Sequence, residues 1–341
     1  MTDISSVPPS TENSISVFVT GAMTGTGLTL IRELVKRGYK VIGAVKTPDE
    51  ASQIRRLGAL PTFPQLDRVN DVRGLLQMRR VTHVVHLAHL NAGGVPQYAV
   101  PEADYMSALR ATDEIVTASG QAGVKRMIFP SFAFLYGDTH GHAALETDPI
   151  QRNTPLLAAL ADAEAAVLDG GIPGYVLRCG YLYGAGTAAM RKMDTALKAG
   201  RGMPAGTKPA AWLYEDDLAA AILILIEQST DTGEATGTTL NLADDSHLSP
   251  DAFMRLFAST LGVGEPASIP GFMMGWRTTP AQRNALDTSI TVSTAKAQAM
   301  GWSPRFATPA AGIEHMLLMW RAEEAPQPEP EHIPERAIVT L

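Results

Sequence analysis

The chain has one cysteine, Cys179, in 341 residues. A lone thiol forms no intrachain disulfide and builds no cysteine-based zinc site, and it suits a reducing compartment. Long apolar runs are absent too. The longest, Leu218 to Ile226, falls far short of the roughly 20 residues that a membrane-spanning helix needs. The segment Met1 to Ser14 carries Asp3 and Glu12 and lacks the basic and apolar regions of a signal peptide. Positive charge is in deficit, with 28 Lys and Arg against 35 Asp and Glu and a net charge of −7. General binding to nucleic acid or to an anionic membrane is therefore not expected. A soluble, cytoplasmic chain fits these deficits, and no metal site is expected. Hydrophobic residues, at 45%, suffice for a sizeable core.

The most informative stretch is Ser16-Val-Phe-Val-Thr-Gly-Ala-Met-Thr-Gly-Thr-Gly-Leu28. Ile15 to Val19 reads as a short buried strand. Gly21, Gly25 and Gly27 follow at once, and an amphipathic run from Leu28 to Arg37 closes at Gly38. Strand, glycine turn and helix in that order form a nucleotide-binding arrangement. The first glycine permits a tight turn, the next lets the backbone approach a pyrophosphate, and the last lets helix and strand pack closely. The helix start adds the positive end of its dipole.

Strands then alternate with helices. Strands are expected at Lys40 to Val45, Ala59 to Phe63, Thr82 to Leu87, Lys125 to Pro130 and Gly174 to Arg178. Helices are expected at Pro48 to Leu57, Asn70 to Met78, Pro101 to Ala122 and Leu156 to Leu168. This rhythm predicts an α/β Rossmann fold, a doubly wound parallel sheet with right-handed crossovers. Beyond it, helices are expected near Thr187 to Ala199, Asp216 to Glu227, Ser249 to Leu261, Ser293 to Met300 and Ala307 to Met319, with a short strand at Thr239 to Leu242. The expected organisation is a flexible arm over 1–14, a dinucleotide-binding domain over 15–180, a smaller, mostly helical substrate annex over 181–321 whose 211–245 segment returns to the sheet, and a Pro/Glu-rich tail over 322–341.

Several segments together resemble the short-chain dehydrogenase/reductase superfamily, in its extended, NAD-dependent epimerase/dehydratase-like branch. They are Thr20 to Gly27, His83-Val-Val-His-Leu-Ala88, Ile128 to Asp138, Leu177-Arg-Cys-Gly-Tyr-Leu-Tyr-Gly184, Trp212-Leu-Tyr-Glu-Asp-Asp217, Leu240 to Asp244 and Ala297 to Pro304. The resemblance implies a nicotinamide dinucleotide held by Thr20, Gly21, Met23, Thr24, Gly25, Thr26, Gly27, Asp67, Leu87, Ala88 and Ser131. The end of the second strand reads Val45-Lys46-Thr47 where NAD-preferring relatives place an acid. Lys46 and Thr47 can accept a 2′-phosphate, so NADP(H) is favoured over NAD(H). A homodimer through the helices Pro101 to Ala122 and Leu156 to Leu168 is the family habit.

The family's catalytic residues do not carry over. It uses a Ser/Thr, a general-acid Tyr and a Lys four residues beyond that Tyr. The matching positions read Phe132, Leu156 and Leu160, and none of the eight tyrosines has a Lys four residues on. Tyr136, His140 and Tyr183 are candidate replacements. Against them stand plainer roles: Tyr136 as part of a Tyr-Gly turn, His140 and His142 as surface residues, Tyr183 as lining. His89 is a cleft candidate and His86 a core one. Arg178 is expected to brace the turn after its strand, and Asp216-Asp217 to cap a helix. Phe272, Met273, Met274 and Trp276 suggest an apolar substrate wall or a packed core. Arg191, Lys192, Lys198 and Arg201 suggest a solvated helix face. Three functions stay open: an NADP(H)-linked oxidoreductase of an apolar small molecule without the usual triad, a redox-neutral isomerase, cyclase or lyase, and a non-catalytic nicotinamide sensor.

Overall fold

The computed structural model describes residues 15–91, 102–201, 206–228, 237–266 and 288–324. The expected arm, the Phe272 to Trp276 cluster and the tail beyond Glu324 lie outside these. The centre is a seven-stranded parallel sheet. Its strands are β1 (Ser16–Thr20), β2 (Lys40–Ala44), β3 (Leu60–Thr62), β4 (His83–His86), β5 (Arg126–Phe132), β7 (Gly174–Cys179) and β10 (Thr238–Leu242), in the order β10-β7-β5-β4-β1-β2-β3. The order reverses between β1 and β4. Ligands of open α/β sheets bind outside the carboxyl ends of the strands at such a point.

Helices α1 (Gly25–Lys36), α2 (Pro48–Arg56), α3 (Val69–Arg79), α4 (Glu102–Ala122) and α5 (Pro155–Asp169) cover the sheet. α7 (Glu215–Glu227) starts at the carboxyl edge and lies beside α1 over the sheet, its far end meeting Arg126 at the start of β5. Around the carboxyl edge stand α6 (Ala188–Lys198), α8 (Pro250–Leu261), α9 (Ala295–Ala299) and α10 (Pro309–Glu324). Two small parallel pairs complete the edge: β6 (Ala143–Ala144) with β11 (Thr291–Val292), and β8 (Tyr181–Tyr183) with β9 (Trp212–Tyr214).

Local chemistry explains the ends. Thr24, Thr47, Thr154 and Ser249 each accept a backbone N–H at a helix start, and Pro48, Pro155 and Pro250 follow the last three. Two buried clusters result. One lies between the sheet and its helices. The other is aromatic and lies at the carboxyl edge, where Trp212 stacks on Phe253 with ring centroids 3.9 Å apart and Tyr183, Tyr214 and Trp320 are buried.

Three expectations about charged residues need correction. Asp216 and Asp217 lie in the first turn of α7, but Tyr214 is the N-cap. The Asp217 carboxylate accepts the Arg305 and Phe306 amides at 2.9 and 3.1 Å, and Asp216 accepts the Thr29 hydroxyl at 2.8 Å. These carboxylates hold neighbouring elements against α7 instead of capping it. Arg191 is not merely solvated: it pairs with Glu323 at 2.6 Å and lies 4.0 Å over the Trp320 ring. That anchorage carries α10 three residues into the expected tail.

A buried network joins the sheet to its covering helix. Arg178 on β7 donates from Nε and Nη2 to Glu164 on α5, at 2.8 to 3.2 Å, and from Nη1 to the Tyr136 hydroxyl at 2.9 Å. Tyr136 donates to Asn241 Oδ1 on β10 at 2.7 Å. Arg178 was expected to brace the turn after its own strand; its bonds run instead to α5, to the turn after β5 and to the Glu146 carbonyl. Breaking a buried pair from one side strands a charge, at about 3–5 kcal/mol. Glu164→Ala should lower the urea-unfolding free energy by about that much, whereas the double variant Glu164→Leu/Arg178→Met should lose less than Glu164→Ala alone. Equal losses in both would show that the pair does not act as a unit.

Candidate functional site

The carboxyl ends of β1 and β4 are sewn together at Thr20. Its hydroxyl accepts the amides of Leu87 and Ala88 at 3.0 and 3.2 Å and lies 2.6 Å from His86 Nδ1. This seam brings the expected residues Thr20, Leu87 and Ala88 together across more than sixty positions of chain. Gly21 follows with φ +61°, and a Cβ there would stand 2.5 Å from the Leu87 carbonyl. A side chain at Gly27 would stand 2.5 Å from the Gly21 carbonyl oxygen. Thr24 caps the helix, its hydroxyl accepting Gly27 N at 2.9 Å and its carbonyl accepting Leu28 N at 2.9 Å.

The first turn of a helix leaves four amides without intrahelical partners. With Gly27 and Leu28 turned back onto Thr24, the Gly25 and Thr26 amides are left at the positive end of α1. Gly21, Met23 and Gly25 are partly exposed beside them. This cradle fits the diphosphate of a dinucleotide. At the end of β2, Lys46 and Thr47 are exposed. The Thr47 hydroxyl caps α2 through Glu50 N at 3.2 Å, and Glu50 accepts the Lys46 amide at 2.6 Å. Asp67 is exposed in the loop after β3.

Gly25 has a neighbour that the sequence did not announce. A Cβ at this position would collide with the Glu215 carboxylate, and a Cβ on Gly186 would collide with the Gly25 α-carbon. The missing side chain thus admits the turn after β8 and the start of α7, not only a ligand. Glu215 is buried, accepts Gly186 N at 2.6 Å and the Thr187 hydroxyl at 3.1 Å, and is pushed up to about 7, chiefly by burial. Sequence reasoning passed over it because attention fell on the two aspartates that follow.

Phe132, Leu156 and Leu160, expected at the family's catalytic positions, carry hydrocarbon side chains. Phe132 and Leu160 are fully buried, and Leu156 is half-buried against the core. Ser131 is fully buried, and its hydroxyl has no partner among the described residues. The candidate replacements lie in three separate settings. Tyr136 is buried in the Arg178–Asn241 network, and burial raises its phenol above the ordinary range while Arg178 opposes this. His140 sits at φ +49° on the surface, its side chain 80% exposed and Nδ1 3.4 Å from Asp138. Tyr183 is fully buried between Trp212, Tyr214 and Phe253, and burial, then the nearby Asp244, raises its phenol.

His86 and His89 lie with Phe129 at the ends of β4 and β5, the two imidazoles 5.6 Å apart. His89 Nε2 faces the Pro130 carbonyl at 2.6 Å, so this nitrogen carries the hydrogen, and burial lowers the ring to about 4. A neutral imidazole packed on phenylalanine is a core group. His86, which was expected there, shares its place.

The model of the NAD dependent epimerase/dehydratase family matches residues 17–243. Among curated proteins, a 3-diazoavenalumate denitrifying reductase of a Streptomyces species is 29% identical over 310 residues, covering 84% of this chain and 95% of its own. A 4-hydroxy-2-methyl-3-oxo-4-farnesyl-3,4-dihydroquinoline-1-oxide ketoreductase of Stigmatella aurantiaca is 24% identical over 265 residues, covering 74% and 75%. Among solved structures, a dTDP-glucose 4,6-dehydratase of Bacillus anthracis in complex with NAD superposes with a TM-score of 0.73 at 16% identity, over 91% of this chain and 98% of that one. A likeness at that identity shows the fold.

Tyr136→Phe removes both bonds of the phenol and leaves Asn241 and Arg178 short of a partner. The expected result is a loss of about 1–3 kcal/mol in unfolding free energy, read by urea denaturation, with dinucleotide affinity by fluorescence titration changed less than about twofold. A tenfold loss of affinity would place Tyr136 at the ligand instead.

Proposed function

The chain belongs to the NAD-dependent epimerase/dehydratase family, and from that premise we propose that it is an NADP(H)-linked reductase of a largely apolar, already activated small molecule, working without the family's Ser–Tyr–Lys acid. The carrying observation is the contrast at the site: the phosphate cradle at Gly21, Gly25, Thr26 and Gly27 is complete, while Phe132, Leu156 and Leu160 stand where proton transfer would be served. The names of the two curated relatives support a reductase, and one of them names a diazo compound.

The residues divide the work as follows. The Gly25 and Thr26 amides would hold the diphosphate, and Thr20 ties together the ends of β1 and β4 next to that cradle. Lys46, exposed after β2, would pair with a 2′-phosphate, and Asp67, exposed after β3, would serve the adenine side. Leu156 and Phe134, half-exposed, offer apolar surface to the substrate. Phe132 and Leu160 keep water from beneath the reacting groups. A bound nicotinamide supplies a hydride. An electron-poor acceptor, such as an iminium or a diazonium, carries its positive charge beforehand and needs no proton from the protein. None of Tyr136, His140 and Tyr183 is required as an acid. The same proposal places the protein in the cytoplasm as a homodimer through the packed helices α4 and α5. Among the described residues, no helix is long and apolar enough to cross a membrane.

Two measurements test the reading. NADPH absorbance should fall with iminium, diazonium or other activated acceptors, and at least about 100-fold more slowly with simple ketones, since a general acid contributes 10²–10⁴-fold. Simple ketones reduced as fast as activated acceptors would overturn the acid-free reading. Lys46→Glu should raise the NADPH dissociation constant about tenfold or more and leave that for NADH within about threefold. An equal effect on both cofactors would remove Lys46 from the 2′-phosphate.

A further inference from the structure

Three glycines surround one buried carboxylate beside the cofactor cradle. Gly25 opens α1. Gly184, at φ +155°, and Gly186 belong to the turn after β8. Side chains at Gly25 and Gly184 would run into Glu215, and one at Gly186 would run into Gly25 itself. Glu215 is 5% exposed. Its oxygens are held by Gly186 N at 2.6 Å and the Thr187 hydroxyl at 3.1 Å. The carboxylate therefore occupies the space beside the first residue of the helix whose amides would receive the diphosphate. α7 cannot move it away, because Thr26 and Thr29 on α1 donate to the Glu215 carbonyl and to Asp216.

The charged and titratable groups around it are few. Asp216 and Asp217 lie on α7, Arg32 on α1, Tyr214 at the N-cap of α7, and His315 on α10 reaches Asp216 at 3.9 Å. The turn 184–187 contributes none. Of these groups, Arg32 is the cation that lowers Glu215, and Asp216 offsets it. A diphosphate at the α1 terminus would bring a second anion to the same helix end, beside a carboxylate that is itself buried and so weakly screened.

We propose that Glu215 is a protonation-controlled gate on dinucleotide binding: the neutral carboxyl admits the diphosphate to the start of α1, the carboxylate opposes it, and binding above neutrality takes up one proton at this residue. This rests on the cofactor reading given above. Burial, opposed by the Gly186 amide, the Thr187 hydroxyl and Arg32, already holds the group near 7, and an incoming anion raises it further. The sign follows. At pH 6 Glu215 is neutral and affinity is at its greatest. As pH rises past about 7, each pH unit weakens binding by up to tenfold, the limit for one linked proton.

The test is the NADPH dissociation constant of the full-length protein from pH 6 to 9, by isothermal titration calorimetry in buffers of different ionisation heat. Titration of the ligand's own phosphate is common to all variants compared. Wild type should weaken at least about tenfold between pH 7 and 9 and take up about one proton at pH 8. Glu215→Gln, whose amide oxygen can still accept from Gly186 and Thr187, should bind at pH 9 within about threefold of its affinity at pH 6, relative to ligand titration, with no proton uptake. Thr187→Val, which removes a donor that favours the carboxylate, should move the wild-type midpoint upward. It keeps the test decisive if Glu215→Gln does not fold, as judged by circular dichroism. Parallel profiles for wild type and both folded variants, with binding intact, would overturn the gate alone. Folded protein that binds neither NADPH nor NADH at any of these pH values would overturn the cofactor reading and the gate with it.

Discussion

Arg178 and Glu164 form the constraint on which the site depends. The guanidinium joins β7 to α5 through Glu164, to the turn after β5 through Tyr136, and to the Glu146 carbonyl, while Tyr136 and Glu146 carry the connection to Asn241 on β10. Buried ion pairs contribute little net stability once desolvation is counted, but their geometry admits few alternatives. Here the pair sets the rotation of α5. Residues four apart lie on one helix face, so fixing Glu164 also fixes the face that carries Leu160, buried in the core, and Leu156, half-buried against it. The apolar character of those positions is thus a property of the site's wall, not of a helix free to rotate.

That wall separates two functions that the fold usually joins. The cradle for a diphosphate is made by backbone: the left-handed turn at Gly21, the contact of Gly27 with Gly21, and the amides at the start of α1. Proton transfer requires side chains, and on the proposed reading carbon takes their place in this chain. The tyrosines nearby are engaged elsewhere, Tyr136 in the brace and Tyr183 in the aromatic cluster with Trp212 and Phe253. Binding and acid catalysis can diverge because they rest on different parts of the molecule, and only the first rests on the glycines.

The alternating strands and helices and the glycine turn were legible because each depends on residues a few positions apart. The absence of a Tyr–Lys pair was legible by inspection. What escaped the sequence lies in contacts between distant segments. Gly25 meets Gly186 and Glu215 across 161 and 190 positions. Asp217 serves the amides of Arg305 and Phe306 rather than its own helix end. Tyr136 could be read as a candidate acid only while Asn241 and Arg178 were unknown as its partners. β9, near in sequence to the sheet's last strand, pairs instead with β8, because both belong to the aromatic cluster at the carboxyl edge.

The central claim is that the site delivers hydride without a protein acid. Kinetic isotope effects on reduction of an activated acceptor test it most directly. A reaction that needs no proton should show a primary effect with NADPH deuterated at the transferred position, a solvent deuterium effect on kcat near unity, and, with cofactor saturating, a kcat that does not fall as pH rises. A solvent effect of about two or more, with kcat falling as a single group deprotonates, would reveal a proton donor and contradict the account.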